Sequence, residues 1–351
     1  MKEKILQVLK KICLPDGSKD LLSLGLVKDL VINDEKNAKI HLSVPVPFED
    51  IAWQVKNSLR AALHQELPEL VCELETEQEI PYGKIIPDTV FKQSSIRQFI
   101  AVASGKGGVG KSTVSTNLAC ALARAGAKVG LLDADVYGPS LPIMLGIKRA
   151  MLLTTENHKL IPMERCGVKI MSVGLLLGDN RKSLLWRGPM LHNLMQQFLE
   201  DVEWGELDYL IMDLPPGTGD IQMSLGQLAP ISGAVIVSTP QDLALNVAVK
   251  AVDLFKALKV PIAGLIENMS YYICPKCGDR QNIFGTRGAE NISQELQVPL
   301  LGTIPLEIDI RKAGDKGIPI IVSEPESPSG EAFDSIARRL SVRLADLSAQ
   351  A

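Results

Sequence analysis

The sequence predicts an α/β fold with a mainly parallel sheet organised around a phosphate-binding loop, preceded by a small α+β domain. Three observations predict it. The first is the stretch Gly105-Lys106-Gly107-Gly108-Val109-Gly110-Lys111-Ser112-Thr113, in which two glycines flank four residues and a lysine and a hydroxyl residue follow. The second is its setting. The apolar run Ile100-Ala101-Val102-Ala103 before it reads as a buried strand, and residues 114–125 after it, rich in alanine and leucine, read as a helix. Strand, loop and helix in that order are what the motif requires. The third is the alternation of strand-like and helix-like segments from Ile96 onward, which implies a parallel sheet covered by helices on both faces.

Bulk properties narrow the class. A chain of 351 residues allows two or three domains, and 46% hydrophobic with 22% charged residues is an ordinary soluble composition. Aromatics at 4% are thin for stacking on bases, and a net charge of −4 without a basic block argues against nucleic acid or an anionic membrane as the main partner. The first residues, Met1-Lys2-Glu3-Lys4-Ile5-Leu6, lack a signal-peptide core, and no apolar run approaches the roughly 20 residues of a membrane span. A cytoplasmic protein is expected, so the six cysteines read as thiols or metal ligands rather than disulfides.

Residues 1–78 read as the first domain. Ile5, Leu6, Leu9 and Ile12 have helical spacing; residues 26–32 and 40–46 read as two strands joined by a polar turn. Ile51, Val55, Leu59, Ala62 and Leu63 mark an amphipathic helix, and residues 71–74 a last strand, giving an α-β-β-α-β pattern. Residues 79–95, with Pro81, Gly83 and Pro87, read as a linker. Domain two covers 96–351. Its further strands fall at 129–132, 209–212, 234–237, 261–266 and 300–304, with a helix at 243–258 and an irregular insertion or hairpin at 152–171. The last segment carries an apolar stripe, Phe333, Ile336, Leu340, Leu344 and Leu347, with mixed charges, and is expected to dock onto its own domain.

The loop's chemistry is direct. Glycines let backbone N–H groups crowd around phosphate oxygens, and the following helix adds its positive end. Lys111 supplies charge for the outer phosphates and Ser112 a hydroxyl for Mg²⁺. Lys106 is a second lysine inside the loop. It reads either as a solvated side chain or as a charge offered to a nucleotide on a facing subunit, an intermolecular version of the arginine finger. Asp133-Ala134-Asp135 follows a strand end, on the sheet edge that carries the loop. Asp135 is assigned to positioning the attacking water and Asp133 to support around Mg²⁺. Asp213 ends the apolar run Tyr209-Leu210-Ile211-Met212 as a Walker B carboxylate, and the Pro-Pro-Gly-Thr-Gly after Leu214 is a candidate switch. Asn268 ends another strand, where its amide either reads an adenine edge or caps the chain.

Cys274-Pro275-Lys276-Cys277-Gly278 is the one Cys-x-x-Cys. Two thiols three apart can share one metal centre but supply two ligands, and the four histidines have no metal spacing. Two chains related by a two-fold axis would supply four. A bridging [4Fe–4S] cluster, a zinc, a redox dithiol and an inert pair all remain open on the residues alone. Cys120 reads as a buried small apolar residue, and Cys13, Cys72 and Cys166 have no partner at useful spacing.

The string Lys-Gly-Gly-Val-Gly-Lys-Ser-Thr resembles the deviant phosphate loop of the MinD, ParA and nitrogenase-iron-protein group, whose members work as nucleotide-sandwiched dimers and use an asparagine at the position of Asn268 against the base. The phosphate loop, Asp-Ala-Asp-Val-Tyr-Gly-Pro, Trp186-Arg187-Gly188-Pro189-Met190, Asp-Leu-Pro-Pro-Gly-Thr-Gly-Asp and Cys-Pro-Lys-Cys-Gly occur in the order found in the Mrp/ApbC/NBP35 iron–sulfur cluster carriers. Residues 14–29 resemble the MIP18-like domain that precedes Mrp-type ATPases. That family often has a Thr-Pro-x-Cys-Pro stretch after its second strand; here the chain reads Ser43-Val44-Pro45-Val46-Pro47-Phe48, so cluster handling by that cysteine is not implied. The resemblance implies a homodimeric ATPase that binds ATP and Mg²⁺, holds a labile [4Fe–4S] cluster between subunits at Cys274 and Cys277, and passes it to apoproteins, with scaffold proteins as further partners. A positioning ATPase of the MinD or ParA type and a zinc-stapled NTPase are the alternatives.

Overall fold

The computed structural model describes residues 1–34, 36–83, 95–147, 153–177, 188–217, 219–286 and 288–349. Most of the expected linker, together with Trp186, Arg187 and Thr218, lies outside the described residues. The chain forms two compact units, Met1–Tyr82 with Arg338–Ala351, and Gly83–Ala337.

The first unit runs α1 (Lys2–Leu9), β1 (Val27–Ile32), β2 (Asn37–Val44), α2 (Glu49–Glu66) and β3 (Val71–Gln78). Its sheet has the order β1-β2-β3, antiparallel between β1 and β2 and parallel between β2 and β3. The period of two explains which face is inside: Ala38, Ile40, Leu42 and Val44 are buried, whereas Glu73, Glu75 and Glu77 face water. In α2, Ile51, Val55, Leu59 and Leu63 recur at helical spacing and are buried, and Pro68 follows the helix end at Leu67. Leu340 and Leu344 join this unit, and Ser18 donates its hydroxyl to Asp346 at 2.6 Å. The carboxy-terminal stripe is therefore divided. Phe333 and Ile336 belong to the second unit, and the residues from Arg338 belong to the first, which its amphipathic spacing did not reveal.

The second unit contains β4 (Ile96–Ser104), α3 (Lys111–Arg124), β5 (Val129–Asp133), α4 (Leu141–Met144), β6 (Met163–Arg165), β7 (Val168–Ser172), α5 (Val173–Leu177), α6 (Gly188–Glu200), β8 (Leu207–Asp213), α7 (Asp220–Leu228), β9 (Ile231–Ser238), α8 (Asp242–Ala257), β10 (Ile262–Glu267), the short pair β11 (Tyr272–Ile273) and β12 (Arg280–Gln281), α9 (Gly288–Leu296), β13 (Leu300–Thr303), α10 (Ile308–Lys316), α11 (Ile320–Ser323) and the start of α12 (Pro328–Ser348). The sheet order is β13-β10-β9-β4-β8-β5-β7-β6, parallel throughout except for β6 against β7. Five strands, β4, β5, β8, β9 and β10, are buried almost along their whole length, as continuous apolar runs demand when helices cover both faces. The segment 152–171, read as an irregular insertion or hairpin, contains the antiparallel hairpin β6–β7, and its second strand joins the main sheet beside β5. No helix among the described residues is long and apolar enough to cross a membrane.

Parallel strands end on one edge. The phosphate loop leaves β4 there, Asp133 and Asp135 stand at the end of β5, Asp213 ends β8, and Asn268 follows β10. Asp133 and Asp213 are register partners on adjacent strands.

Candidate functional site

The phosphate loop takes the shape its glycines permit. Gly108 and Gly110 have φ of 80° and 81°, a region costly for residues with a Cβ. At Gly105 a Cβ would lie 2.3 Å from the carbonyl oxygen of Val247, so the loop passes a neighbouring helix too closely for a side chain. The segment from Gly107 to Thr113, with Asp135 and Pro216 facing it, encloses a cleft of about 220 Å³.

A charged cluster lies under the loop. Lys111 Nζ is 2.7 Å from Asp213 Oδ1 and 3.9 Å from Asp135 Oδ2, with 6% of its side chain exposed. Asp213 is fully buried and also accepts hydroxyl hydrogen bonds from Ser112 and Ser115, both at 2.6 Å. Burial and the neighbouring Asp213 push Asp133 up to about 7. Its carboxylate is turned away from the cleft, accepting from Ser172 Oγ at 2.9 Å and from the backbone N–H groups of Asp135 and Leu141. Asp133 thus holds the turn that carries Asp135. Burial raises Asp135 as well, opposed by Lys111, and Asp135 alone of the two lines the phosphate cleft.

A second cleft, of about 400 Å³, shares Gly110, Thr113 and Met144 with the first. Ile143, Met269, Pro305, Leu306 and Ile310 make its walls largely apolar, and Asn117, Asn268 and Glu307 place polar groups among them. A polar phosphate cradle opening into a largely apolar slot has the two-part chemistry of a nucleotide. Asn268 stands where they meet. Its Nδ2 donates to the carbonyl of Val109 at 2.8 Å and its Oδ1 accepts from Met269 N–H, so part of its capacity braces the loop itself.

Lys106 does not line its own phosphate cleft; its Nζ donates to Gln241 Oε1 at 3.0 Å. The cysteine pair sits on the β11–β12 hairpin. Cys274 N–H donates to Asp279 O, Gly278 N–H donates back to Cys274 O, and Gly278 has φ of 73°. The backbone N–H of Lys276, then that of Cys277, then the Cys277 thiol, hydrogen-bond the Cys274 sulfur and lower its pKa, the knuckle that favours a thiolate ligand. Among the described residues no three His, Cys, Asp or Glu groups come together as a metal site, so this knuckle offers two thiols.

Several participants carry no local signal in the sequence. Ser115 and Ser172 reach the carboxylates from other elements. Cys166, read as unpartnered, stands in the β6–β7 turn against α3, where its sulfur and the buried Cys120 thiol hydrogen-bond one another. That bond lowers Cys166 to about 6 and raises Cys120.

Two family models match the chain in succession. Residues 95–341 match the NUBPL iron-transfer P-loop NTPase family, and residues 2–74 match a family described as iron–sulfur cluster assembly protein. An iron–sulfur cluster carrier protein of Deinococcus radiodurans is 43% identical over 97% of this chain and 95% of its own length. The mitochondrial iron–sulfur protein required for NADH dehydrogenase of Arabidopsis thaliana is 46% identical over 74% of this chain and 82% of its own. Among solved structures, a nucleotide-binding protein from Archaeoglobus fulgidus in complex with ADP superposes with a TM-score of 0.58 at 39% identity, covering 68% of this chain and 93% of that one. The septum site-determining protein MinD of Pyrococcus horikoshii with Mg-ADP gives a TM-score of 0.51 at 25% identity, covering 68% of this chain and 94% of that one.

Proposed function

The chain belongs to the NUBPL iron-transfer P-loop NTPase family, and from that premise we propose that it is an ATP-hydrolysing iron–sulfur cluster carrier that works as a homodimer and hands its cluster to apoproteins. The observation that carries this reading is the cysteine knuckle. It offers two thiols and emerges from the end of β10, on the sheet edge that carries the phosphate loop.

On the nucleotide side, backbone N–H groups of the loop and Lys111 hold the phosphates. Ser112 and Asp213 are a hydroxyl and a carboxylate already 2.6 Å apart beneath the cleft, a donor pair of the kind that holds Mg²⁺. The ion, when bound, neutralises charge on the outer phosphates. Asp135, in the cleft wall, orients the attacking water. Asp133 keeps Asp135 in place through its own buried hydrogen bonds.

On the cargo side, a [4Fe–4S] cluster takes four thiolates, two from each chain. Large apolar side chains are exposed on segments that follow the ends of parallel strands in the chain: Tyr137 at 71%, Ile143 at 70%, Met190 at 52% and Ile283 at 54%. A second copy would cover them, and it would receive Lys106, which projects away from its own phosphates. The cytoplasm, with apo client proteins and scaffold proteins as partners, is the setting this reading expects.

Anaerobic reconstitution with iron and sulfide tests it. The parent is expected to take up both and to show cluster absorption, and Cys274→Ala with Cys277→Ala to lose them. Equal iron and sulfide in the double variant would overturn the assignment, and zinc in place of iron after anaerobic purification would favour the stapled NTPase.

A further inference from the structure

The excursion that carries the cysteine knuckle is closed at its base by one side chain. Glu267, the last residue of β10, is 3% exposed. One of its carboxylate oxygens accepts the hydroxyl of Ser270, where the chain leaves for the knuckle; the other accepts the backbone N–H of Ala289 at 2.7 Å, in the first turn of α9, where the chain returns. A buried carboxylate between two neutral donors holds both limbs together, and its charge favours the helix N-terminus.

The neighbours of Glu267 reach the nucleotide cleft. Asn268 lines the cleft and donates to Val109 of the phosphate loop. Its Nδ2 stands 2.2 Å from where a Cβ on Gly110 would be, so the loop and this residue are in contact without slack. Met269 also lines the cleft and holds φ of 55°. Beyond it, Ser270 N–H donates to Ile304 O and Leu306 N–H to Tyr271 O, which fastens the outgoing limb to the segment of Pro305 and Leu306, two further residues that line the same cleft. Any displacement of the cleft walls therefore bears on the outgoing limb; Glu267 ties that limb to the returning one at the base of the excursion, and the β11–β12 pairing ties them again next to the knuckle.

We infer that Glu267 is a positioning residue that couples the nucleotide cleft to the cysteine knuckle by spanning both limbs of the excursion. The inference rests on the carrier reading for its biological meaning, but its physical content concerns the thiols alone. The span, and not the charge, does the work. A glutamine of the same length can accept from Ala289 N–H with its oxygen and donate to the Ser270 hydroxyl with its amide, because a hydroxyl both donates and accepts. An aspartate keeps the charge but is one methylene too short to reach both.

The test uses the full chain without cluster. Alkylation rates of Cys274 and Cys277 are read by peptide mass spectrometry with and without Mg-ATP, in the parent, Glu267→Gln, Glu267→Asp and Ser270→Ala. In the parent, nucleotide is expected to change the rate by about fivefold or more, the lower end of typical site-to-site coupling. Glu267→Gln keeps that ratio. Glu267→Asp and Ser270→Ala bring it close to one while ATP affinity stays within about threefold of the parent. A parent without nucleotide dependence, or a Glu267→Asp variant that keeps the full ratio, overturns the coupling. Failure of iron and sulfide uptake in the parent is a separate result: it removes the carrier reading and leaves the thiol measurement to decide the role of Glu267.

Discussion

Lys111 is paired with Asp213, and on the proposed function the phosphates of ATP must win it back. Replacing Asp213 with asparagine isolates that competition. The pair is 2.7 Å apart, with 6% of the lysine side chain and none of the aspartate exposed, so solvent screens it little. At an effective dielectric of about 20 the gross attraction is about 6 kcal/mol, most of it offset by desolvation. A hydrogen bond to a charged group contributes about 1.5–3 kcal/mol net. Asp213→Asn should then have two opposite effects. The ligand-free protein loses about 3 kcal/mol of stability, the low end for a broken buried pair, because Asp135 at 3.9 Å still offers Lys111 partial compensation. Binding of ATP in the presence of a metal chelator tightens by about 10- to 150-fold, since the phosphates become the main counter-charge of Lys111 and no longer face the Asp213 carboxylate. Mg²⁺-dependent hydrolysis is lost. Thermal melts give the first quantity and fluorescence titration with ATP and chelator the second. Chelated ATP affinity that is unchanged or weaker in Asp213→Asn would refute the competition. The double variant Asp213→Asn with Lys111→Met should show no tightening, which separates release of the lysine from removal of bulk negative charge.

Three further outcomes follow from the same geometry. Asp133 is raised from 3.8 to about 7, so folding takes up a proton; its contribution is full below about pH 3.8 and is lost as pH rises through about 7, an effect of at most about 4 kcal/mol. Asp133→Asn should flatten the fall in melting temperature of the ligand-free protein between pH 5 and about pH 8, and an unchanged slope would assign that fall to other groups. Cys166, lowered to about 6 by the Cys120 thiol, should alkylate with a midpoint near that pH, and Cys120→Ala should move the midpoint toward the ordinary thiol value of 9.0; peptide mapping of the alkylated protein reads both. Lys106→Ala and Lys111→Ala should each be inactive alone, yet an equal mixture should regain about a quarter of parental ATPase activity, because half of the dimers are mixed and each has one complete site. A mixture no more active than its components would place Lys106 in its own subunit's chemistry.

The central strands were legible because burial on both faces leaves a run of apolar residues with no alternation to confuse. β4, β5, β8 and β9 fall where such runs stand in the sequence. β7 was hidden for the opposite reason. Lys169 interrupts it, half-buried with its Nζ donating to Trp204 O at 2.6 Å, and with the antiparallel β6 beside it the segment reads as an irregular insertion or hairpin. The phosphate loop and the cysteine knuckle were legible because each is contiguous, with spacing that carries the chemistry. The second cleft was not, since its walls come from α3, α4, the end of β10 and residues 305–320. Ser115, Ser172 and the Cys120–Cys166 contact exist only once distant segments meet, and no local pattern in the chain marks them.

The proposed dimer must also be reconciled with its energetics. Tyr137, Ile143, Leu176, Met190, Met223 and Ile283 are each 41–71% exposed, on segments that in the chain follow the ends of parallel strands. Fully burying a large apolar side chain contributes about 1.5–3 kcal/mol, so covering the exposed half of six on each of two chains contributes at most about 9–18 kcal/mol. Bringing two chains together costs about 4–15 kcal/mol in lost freedom. The two ranges overlap, and side-chain ordering and polar desolvation take a further share of the apolar gain, so the shared ligands tip the association. A lysine from each chain reaching the other's phosphates adds charge-assisted bonds only when nucleotide is present, and a cluster held by four thiolates adds covalent-strength links only when cargo is present. A dimer of this kind assembles on its ligands and loosens when either is released, which is the behaviour a carrier requires: tight enough to exclude solvent from the cargo, and open once the phosphates that helped to close it have been hydrolysed. Sedimentation of the cluster-free chain should accordingly show a monomer that shifts toward dimer with Mg-ATP in the parent and less so in Lys106→Ala. A parent dimer of equal strength without any ligand would mean that the apolar side chains, and not the shared ligands, govern assembly.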